Sequence, residues 1–363
     1  MILQVYFARR FLWSFTMVLS VFALLVFLVD LIDKLQDFPD LTFGAVTRLV
    51  VLNLPSKNYE ILPLVVILAA VALFVRMARS SELVAVRAAG VSGLKNLVAP
   101  VVVTLAIGGV AVTLFNPVVA ATSKRFNDLR NLHEDGGTSV LALSEEGLWL
   151  RQAEARGQTL IHAKRASSDL GVLFGTTFMR FDPDGRPTLR INAAAARLAD
   201  GEWVLHDAKI WDLRRGGNPE ADAATARQTR LASTLTRDRI VNSFGKPQFI
   251  PMWDLPAFIA QLEKAGFSAR RYIMWFQMEL ARPLFLAALV MVAAAFTMRP
   301  ARLSNMGLSV LAAVMLGFSL HYIRNFAQIL GENGEIPLAL AAWAPPVASW
   351  MLALGILLHK EDG

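Results

Sequence analysis

The chain has 363 residues, of which 55% are hydrophobic and 18% charged, with a mean hydropathy of +0.46. This balance is too apolar for an ordinary soluble domain and indicates an integral membrane protein. The sequence contains no cysteine, which excludes disulfides and thiolate metal sites, and its net charge of +7 is attributed to membrane topology and anionic lipid rather than to nucleic acid.

Six apolar runs follow one another along the chain and predict six membrane spans. The first has 19 residues, long enough to cross a core of about 30 Å, and no small-residue cleavage site follows it, which favours a retained span over a signal peptide. The second run is short unless Leu49–Pro55 extends it, and the fourth is short unless Tyr272–Arg282 does. The six runs are Phe11–Val29, Ile61–Val75, Asn96–Ser123, Pro283–Met298, Leu303–Ile323 and Ile336–Leu358.

The Lys and Arg residues of the short loops predict the orientation of these spans. With a cytoplasmic N-terminus, the cytoplasmic loops carry nine such residues and the opposite loops carry only Lys34, Arg48 and Lys57. We therefore expect both termini in the cytoplasm. The nine are Arg9, Arg10, Arg76, Arg79, Arg87, Lys95, Arg299, Arg302 and Lys360.

Residues 124–271 separate spans one to three (1–123) from spans four to six (272–363) and predict an extracytoplasmic β domain. This segment contains 40 of the 65 charged residues. Short runs such as "GLWLRQ" and "TLRINAAAARLA" are separated by turn sequences such as "DPDGRP", a pattern typical of an antiparallel sandwich or an open jelly roll. Near its end, a helix is predicted from Pro256 to Gly266.

Sequence motifs for catalysis and nucleotide binding are absent. The chain has no G-x-x-x-x-G-K-[ST] phosphate loop, no HExxH motif and no G-x-S-x-G elbow, and its five histidines are scattered. We therefore predict a protein that is not an enzyme and that needs no metal or other cofactor.

A polar stretch, "ARSSELVAVRAAGVSG", separates spans two and three and predicts a short amphipathic helix on the cytoplasmic side. Ser80 or Ser81 is a suitable N-cap, Glu82 falls in the first turn, and Gly90 is a natural residue for the C-terminal end. Leu83 and Val86, followed by Ala89 or Gly90, form its apolar stripe. Two interpretations remain open: a helix that rests on lipid headgroups, and a coupling helix that docks into a partner ATPase.

This stretch resembles the R-x-S-E-L-x-x-x-x-A-x-G signature of the lipopolysaccharide-export permeases of the LptF/LptG family. "NLP" at 53–55, "EEGLW", "GFSARRY" and "ARPLFLAALVMVAAAF" support the resemblance, which extends over essentially the whole chain. "DKLQDF" after span one and "GEIPLALAAWAPP" before span six are more similar to the LptG type than to the LptF type.

The resemblance implies an α-helical membrane permease with an inserted jelly-roll-like periplasmic domain in the bacterial inner membrane. Such a permease pairs with a sister permease of the LptF type, a cytoplasmic ATPase dimer of the LptB type, a bitopic LptC-type protein and a periplasmic bridge, and it extracts lipopolysaccharide. An alternative is a permease-like subunit that relays ATPase motion without moving lipid. The coupling residues implied are Ser81, Glu82, Leu83, Val86, Arg87, Ala89 and Gly90.

Basic residues at the outer membrane boundary are the expected contacts for an anionic lipid, although interfacial snorkelling explains them equally well. Asp30 and Arg324 have similar predicted depths on spans one and five, and we expect them to pair and hold a lateral gate. The predicted lipid-binding residues are Lys34, Lys124, Arg125, Arg130, Arg270 and Arg271.

Overall fold

The computed structural model describes most of the chain as long helices and one antiparallel sheet. The described residues are 2–80, 82, 86, 88, 92–134, 142–144, 147–154, 157–166, 172–199, 201–214, 219–233, 246–264, 268–298 and 305–361. The helices are α1 (Ile2–Asp37), α2 (Phe43–Arg79), α3 (Gly93–Val110), α4 (Asn116–Glu134), α5 (Leu255–Lys264), α6 (Arg270–Thr297), α7 (Met306–Asn333) and α8 (Leu338–Glu361).

Among the described residues, six helical segments are long and apolar enough to cross a membrane, which confirms the six predicted spans. They are longer than the apolar runs because polar residues at both ends continue the helices. The second span begins at Phe43, after the N-cap Thr42, and the fourth at Arg270, so both extensions considered from the sequence are helical. The third span joins α3 to α4 through a π-helical turn, Ala111–Phe115, just before a proline. Such turns accommodate a residue that cannot donate in the regular ladder.

The core of the membrane unit is built around α2 and α6. Most of the apolar stretch of each is buried, whereas the outer surface of α1 is almost fully exposed. Glycines allow the closest helix crossings: a Cβ atom at Gly108 would lie 2.6 Å from the Cα atom of Pro283 on α6, and one at Gly317 would lie 1.9 Å from Cδ1 of Ile67 on α2. Small residues at such crossings let membrane helices pack through van der Waals contact.

Seven strands form one sheet in which every strand pairs antiparallel with the next in sequence. The predicted inserted β domain is therefore confirmed. The strand order, left open by the sequence, is that of a meander, and no Greek-key crossover of the kind that defines a jelly roll joins the described strands. The strands are β1 (Ala142–Ser144), β2 (Gly147–Glu154), β3 (Gly157–Ala166), β4 (Val172–Phe181), β5 (Pro187–Ala199), β6 (Glu202–Asp212) and β7 (Ala224–Ala232).

The sheet is curled, and strands near its opposite edges are in contact. Gln152 on β2 donates to the carbonyl oxygen of Ala232 on β7 (3.2 Å) and accepts from the hydroxyl of Ser233 (2.9 Å), although β2 and β7 are five strands apart in the sheet. The concave face is apolar and includes the edge-to-face pair of Phe178 and Trp203 (5.9 Å between ring centres). Curling thus buries apolar side chains such as Phe178 and Trp203, and the described strands belong to one sheet.

The chain forms two compact units. One comprises residues 1–127, 248–252 and 272–363, and the other comprises residues 128–247 and 253–271. The first contains the spans, and the second contains the sheet and α5. The predicted helix near Pro256 is confirmed as α5, while its predicted end at Gly266 lies outside the described residues.

Candidate functional site: a polar cavity between three membrane helices

A cavity of about 320 Å³ lies inside the membrane unit, and polar residues on α2, α6 and α7 form most of its wall. Each of the three helices contributes four residues at positions i, i+3, i+4 and i+7, the spacing that places side chains on one helix face. The lining residues are Ser56, Tyr59, Glu60 and Pro63; Trp275, Met278, Glu279 and Arg282; His321, Arg324, Asn325 and Gln328; and Val119 and Gln248.

A buried ion pair within α6 is bonded to α2 through Tyr59. Arg282 donates from Nη2 to Oε1 of Glu279 (2.5 Å) and from Nε to Oε2 (3.1 Å), and the hydroxyl of Tyr59 donates to Oε2 as well. Glu279 is fully buried and Arg282 is 6% exposed. Both carboxylate oxygens are therefore occupied by donors from α6 and α2. Such saturation is what makes a charge tolerable in a membrane interior.

Pro63 supplies a further acceptor for Arg282. In a regular helix the carbonyl of residue 59 accepts from the N–H of residue 63, but a proline has no N–H to donate. The freed carbonyl oxygen of Tyr59 accepts from Nη1 of Arg282 (3.4 Å), and the guanidinium lies over the Tyr59 ring, 4.1 Å from its centre. One proline within α2 thus links the backbone of α2 to the arginine of α6.

Arg324, on α7, is also buried, at a similar distance from its helix end, and no ion pair joins it to any of the described residues. It lies nine residues before Asn333, the last residue of α7, or about 14 Å along the helix axis, and Glu279 lies nine residues after the start of α6. Arg324 is 4% exposed, donates from Nη2 to the carbonyl oxygen of Met278 (3.1 Å), and lies 5.1 Å from the centre of the Phe285 ring. Its Nε is buried without a hydrogen-bond partner.

The structure gives Asp30 and Arg324, the predicted gate pair, different partners. Asp30 accepts a hydrogen bond from the amide of Asn53 on α2 (2.9 Å), and Arg324 bonds the backbone of α6. No ion pair joins them among the described residues, because α1 packs against α2 and α3 whereas α7 packs against α2 and α8. Instead of the expected direct pair, Asp30 is hydrogen-bonded to α2 and Arg324 is hydrogen-bonded to α6.

The predicted lipid-binding residues lie apart from the cavity. Lys34 pairs with Asp37 one turn later (2.6 Å), and Lys124 and Arg125 are exposed on α4. Arg130, Arg270 and Arg271 belong to the unit that contains the sheet. None of the six lines the cavity.

Within the predicted coupling segment, the structure describes only residues 82, 86 and 88 beyond Ser80. Glu82 accepts from Nη1 of Arg10 (3.1 Å), the hydroxyl of Tyr6 (3.1 Å) and the hydroxyl of Ser80 (2.9 Å). Val86 packs against the apolar core of the spans. Ser80 is the C-cap residue of α2. The other predicted coupling residues, Ser81, Leu83, Arg87, Ala89 and Gly90, lie outside the described residues.

This cavity was not predicted from the sequence. Of its lining residues, only Arg324 was predicted to belong to a functional site, as one half of the expected gate pair. The signal that was available is positional: ionisable and amide side chains recur at three- and four-residue spacing within apolar helices. That spacing on α2, α6 and α7 predicts three polar faces, which have to meet one another because lipid cannot solvate them.

The described residues form six apolar helices long enough to span a membrane, three of which line a polar cavity, together with an inserted sheet, and this combination defines a multi-pass membrane protein of the permease class. The family model for the "Lipopolysaccharide export system permease LptF/LptG" matches residues 5–359. The chain therefore belongs to the LptF/LptG family and is a permease of the lipopolysaccharide export system. It is similar to the "Lipopolysaccharide export system permease protein LptG" of Escherichia coli strain K12, with 22% identity over 99% of both chains, and equally to LptG of E. coli O6:H1 strain CFT073.

Proposed function

We propose that the chain is the LptG-type transmembrane subunit of an ATP-driven lipopolysaccharide extractor, paired with an LptF-type sister permease. The observation that carries the proposal is the match over nearly the full length of the chain and of the E. coli LptG relative. A cytoplasmic ATPase dimer of the LptB type supplies the energy, because the sequence contains no phosphate loop. An LptC-type bitopic protein and a periplasmic bridge receive the lipid. The relay-only alternative has no observation in its favour.

The membrane orientation follows from charge. Nine Lys and Arg residues in the loops on one side against three on the other favour cytoplasmic termini and a periplasmic sheet domain in the bacterial inner membrane. The predicted lipid-binding residues, Lys34 and Lys124 among them, then stand near the outer boundary, where they meet the phosphates of the lipid.

Segment 80–90 couples the ATPase to the spans in this proposal. Its support is the connection at Glu82, whose carboxylate binds two side chains of α1, Arg10 and Tyr6. A force on the segment therefore pulls on α1 as well as on the end of α2. Asp30, on the same helix as Arg10, takes part in the gate through Asn53 on α2. On α7, Arg324 is the second charged residue of the proposed gate.

Affinity purification of the tagged full-length chain in a mild detergent tests the partner set. We expect a second LptF/LptG-family permease, an ATPase and lipopolysaccharide to elute with it. Elution of the chain alone, from cells that express the other components normally, contradicts the proposal.

Charge exchange tests the coupling segment. Glu82→Lys is expected to reduce export while membrane insertion stays normal, because it places a cation against Arg10. The double exchange Arg10→Glu with Glu82→Arg restores the pair and is expected to restore export if Glu82 acts through α1. Loss of the ATPase from the purified complex in the double exchange instead assigns Glu82 to the docking contact. Normal export by Glu82→Lys removes the segment from the coupling role.

A further inference from the structure

Arg324 is a buried cation whose charge no carboxylate of the described residues neutralises. Both oxygens of the nearby Glu279 are occupied by Arg282 and Tyr59. The other acid of the cavity, Glu60, is exposed and lies 3.8 Å from the ammonium group of Lys57. A carbonyl oxygen and the face of Phe285 contact Arg324, but neither supplies a full negative charge. A bare guanidinium within a membrane span is costly.

The cavity also collects hydrogen-bond donors that have no acceptor. Nε of Arg324, Nε1 of Trp275 and Nδ1 of His321 are buried and have no hydrogen-bond partner in the described part of the chain, and all three residues line the cavity. The amide of Asn325 lies 3.2 Å from Nε2 of His321. With that amide assigned as the donor, Nε2 is the acceptor and Nδ1 carries the proton. No lining residue has an unpartnered buried acceptor among the described atoms.

We propose that this cavity binds a phosphate group that carries a single negative charge, held by the guanidinium of Arg324 with the N–H groups of Trp275 and His321. The group belongs either to a phospholipid headgroup or to free inorganic phosphate. This site shares no residue with the lysines and arginines assigned above to the transported lipid, and it does not depend on the proposed partner set.

The chemistry of the wall selects an anion over water or a metal cation. Water satisfies donors but leaves the charge of Arg324 uncompensated, whereas an anion does both. The same donors and the two arginines disfavour a cation, because Glu279, the only buried carboxylate among the described lining residues, is already paired with Arg282. An arginine with a free Nε is suited to an oxyanion, since its Nε–H and a neighbouring N–H point in parallel.

The charge and the size of the site select a small monoanion. One uncompensated guanidinium matches the single charge of a phosphodiester. The volume of about 320 Å³ accommodates a phosphate group and part of a glycerol. The neutral amides of Gln248 and Gln328 belong to the same wall.

Equilibrium dialysis of the purified full-length chain tests the site. The chain is kept in dodecyl maltoside, which contains no phosphate, and is dialysed against radiolabelled inorganic phosphate or against radiolabelled dihexanoyl-phosphatidylglycerol, with dihexanoylglycerol as the neutral probe. We expect one phosphate group bound per chain. Binding of the lipid alone identifies a headgroup, and binding of inorganic phosphate alone identifies a soluble anion.

Three variants locate the binding. Arg324→Gln is expected to weaken it by about tenfold or more, as loss of a charge-assisted hydrogen bond requires. Trp275→Phe keeps an aromatic ring and removes one N–H, and we expect it to weaken phosphate binding several-fold. If Arg324→Gln does not fold, this variant tests the site in its place. Arg48→Gln removes an exposed charge from α2 outside the cavity and leaves binding unchanged.

The proposal is overturned if the wild-type chain binds neither probe, or if Arg324→Gln and Trp275→Phe bind as tightly as the wild type. The assay measures no transport and needs no partner. Failure of both probes to bind therefore refutes the phosphate site without affecting the proposed function. Failure to co-purify the proposed partners, in turn, does not affect the binding measurement.

Discussion

Removing the carboxylate of Glu279 leaves Arg282 as a buried, uncompensated cation beside Arg324. In Glu279→Ala, Arg282 loses two hydrogen bonds, of 2.5 and 3.1 Å, and keeps one long bond to the Tyr59 carbonyl at 3.4 Å together with its contact on the Tyr59 ring. The hydroxyl of Tyr59 loses its acceptor as well. The cavity then contains two arginines and no buried carboxylate.

The cost follows from the burial of both partners. Breaking a buried ion pair by truncating one side destabilises a protein by about 3–5 kcal/mol, because the other charge remains desolvated. With Glu279 fully buried and Arg282 only 6% exposed, we expect a value in that range. The double variant Glu279→Leu with Arg282→Met removes both charges at similar volume. It is expected to lie within about 1 kcal/mol of the wild type or above it.

Unfolding of the purified chain by sodium dodecyl sulfate in mixed micelles measures these differences. Glu279→Gln serves as a control of shape, since it keeps the side-chain volume while removing the charge. A loss below about 1 kcal/mol in Glu279→Ala refutes the reasoning. So does a double variant as unstable as the single one, because the cost then comes from packing and not from the unpaired charge.

Two further substitutions test the packing of each unit. Gly108→Ala is expected to lower the stability in the same detergent assay by about 1–3 kcal/mol, because its Cβ atom meets the rigid backbone of Pro283 at 2.6 Å, whereas Gly109→Ala has nothing within 4 Å and is expected to be neutral or slightly stabilising. Gln152→Ala removes the connection between β2 and β7 and is expected to cost about 1–2 kcal/mol, so that amide hydrogen exchange in β7 accelerates roughly 5–30-fold, while the exposed Gln228→Ala leaves it unchanged. Equal effects for the two glycines, or unchanged exchange in Gln152→Ala, contradict the respective crossing or connection.

The spans and strands were predictable because each carries a local signal. Length and apolarity identify the spans, and alternation with turn sequences identifies the strands. The run Thr188–Ala199, for example, was predicted as a strand and matches all of β5 except its first residue. The curl of the sheet was not predictable, since it depends on the contact of Gln152 with residues about 80 positions later in the chain. No local pattern encodes such a contact.

The cavity was only partly predictable for a related reason. Intramembrane charges mark a functional region, and Arg324 was predicted to matter because its charge is opposite to that of Asp30 at a similar predicted depth. Its partners depend on which helices are neighbours. The sequence placed it opposite Asp30, whereas α2 separates the two helices and Asn53 takes the carboxylate. The role of Pro63 in freeing a carbonyl for Arg282 likewise becomes visible only when α6 is seen beside α2.

Depletion of the chain from growing cells, followed by pulse-labelling and membrane fractionation, tests most directly whether it exports lipopolysaccharide. We predict that newly made lipopolysaccharide accumulates in the inner membrane within the time needed to deplete the chain, and that the wild-type gene supplied in trans restores its delivery to the outer membrane. Unchanged delivery in depleted cells that contain no second permease of the same type contradicts the account.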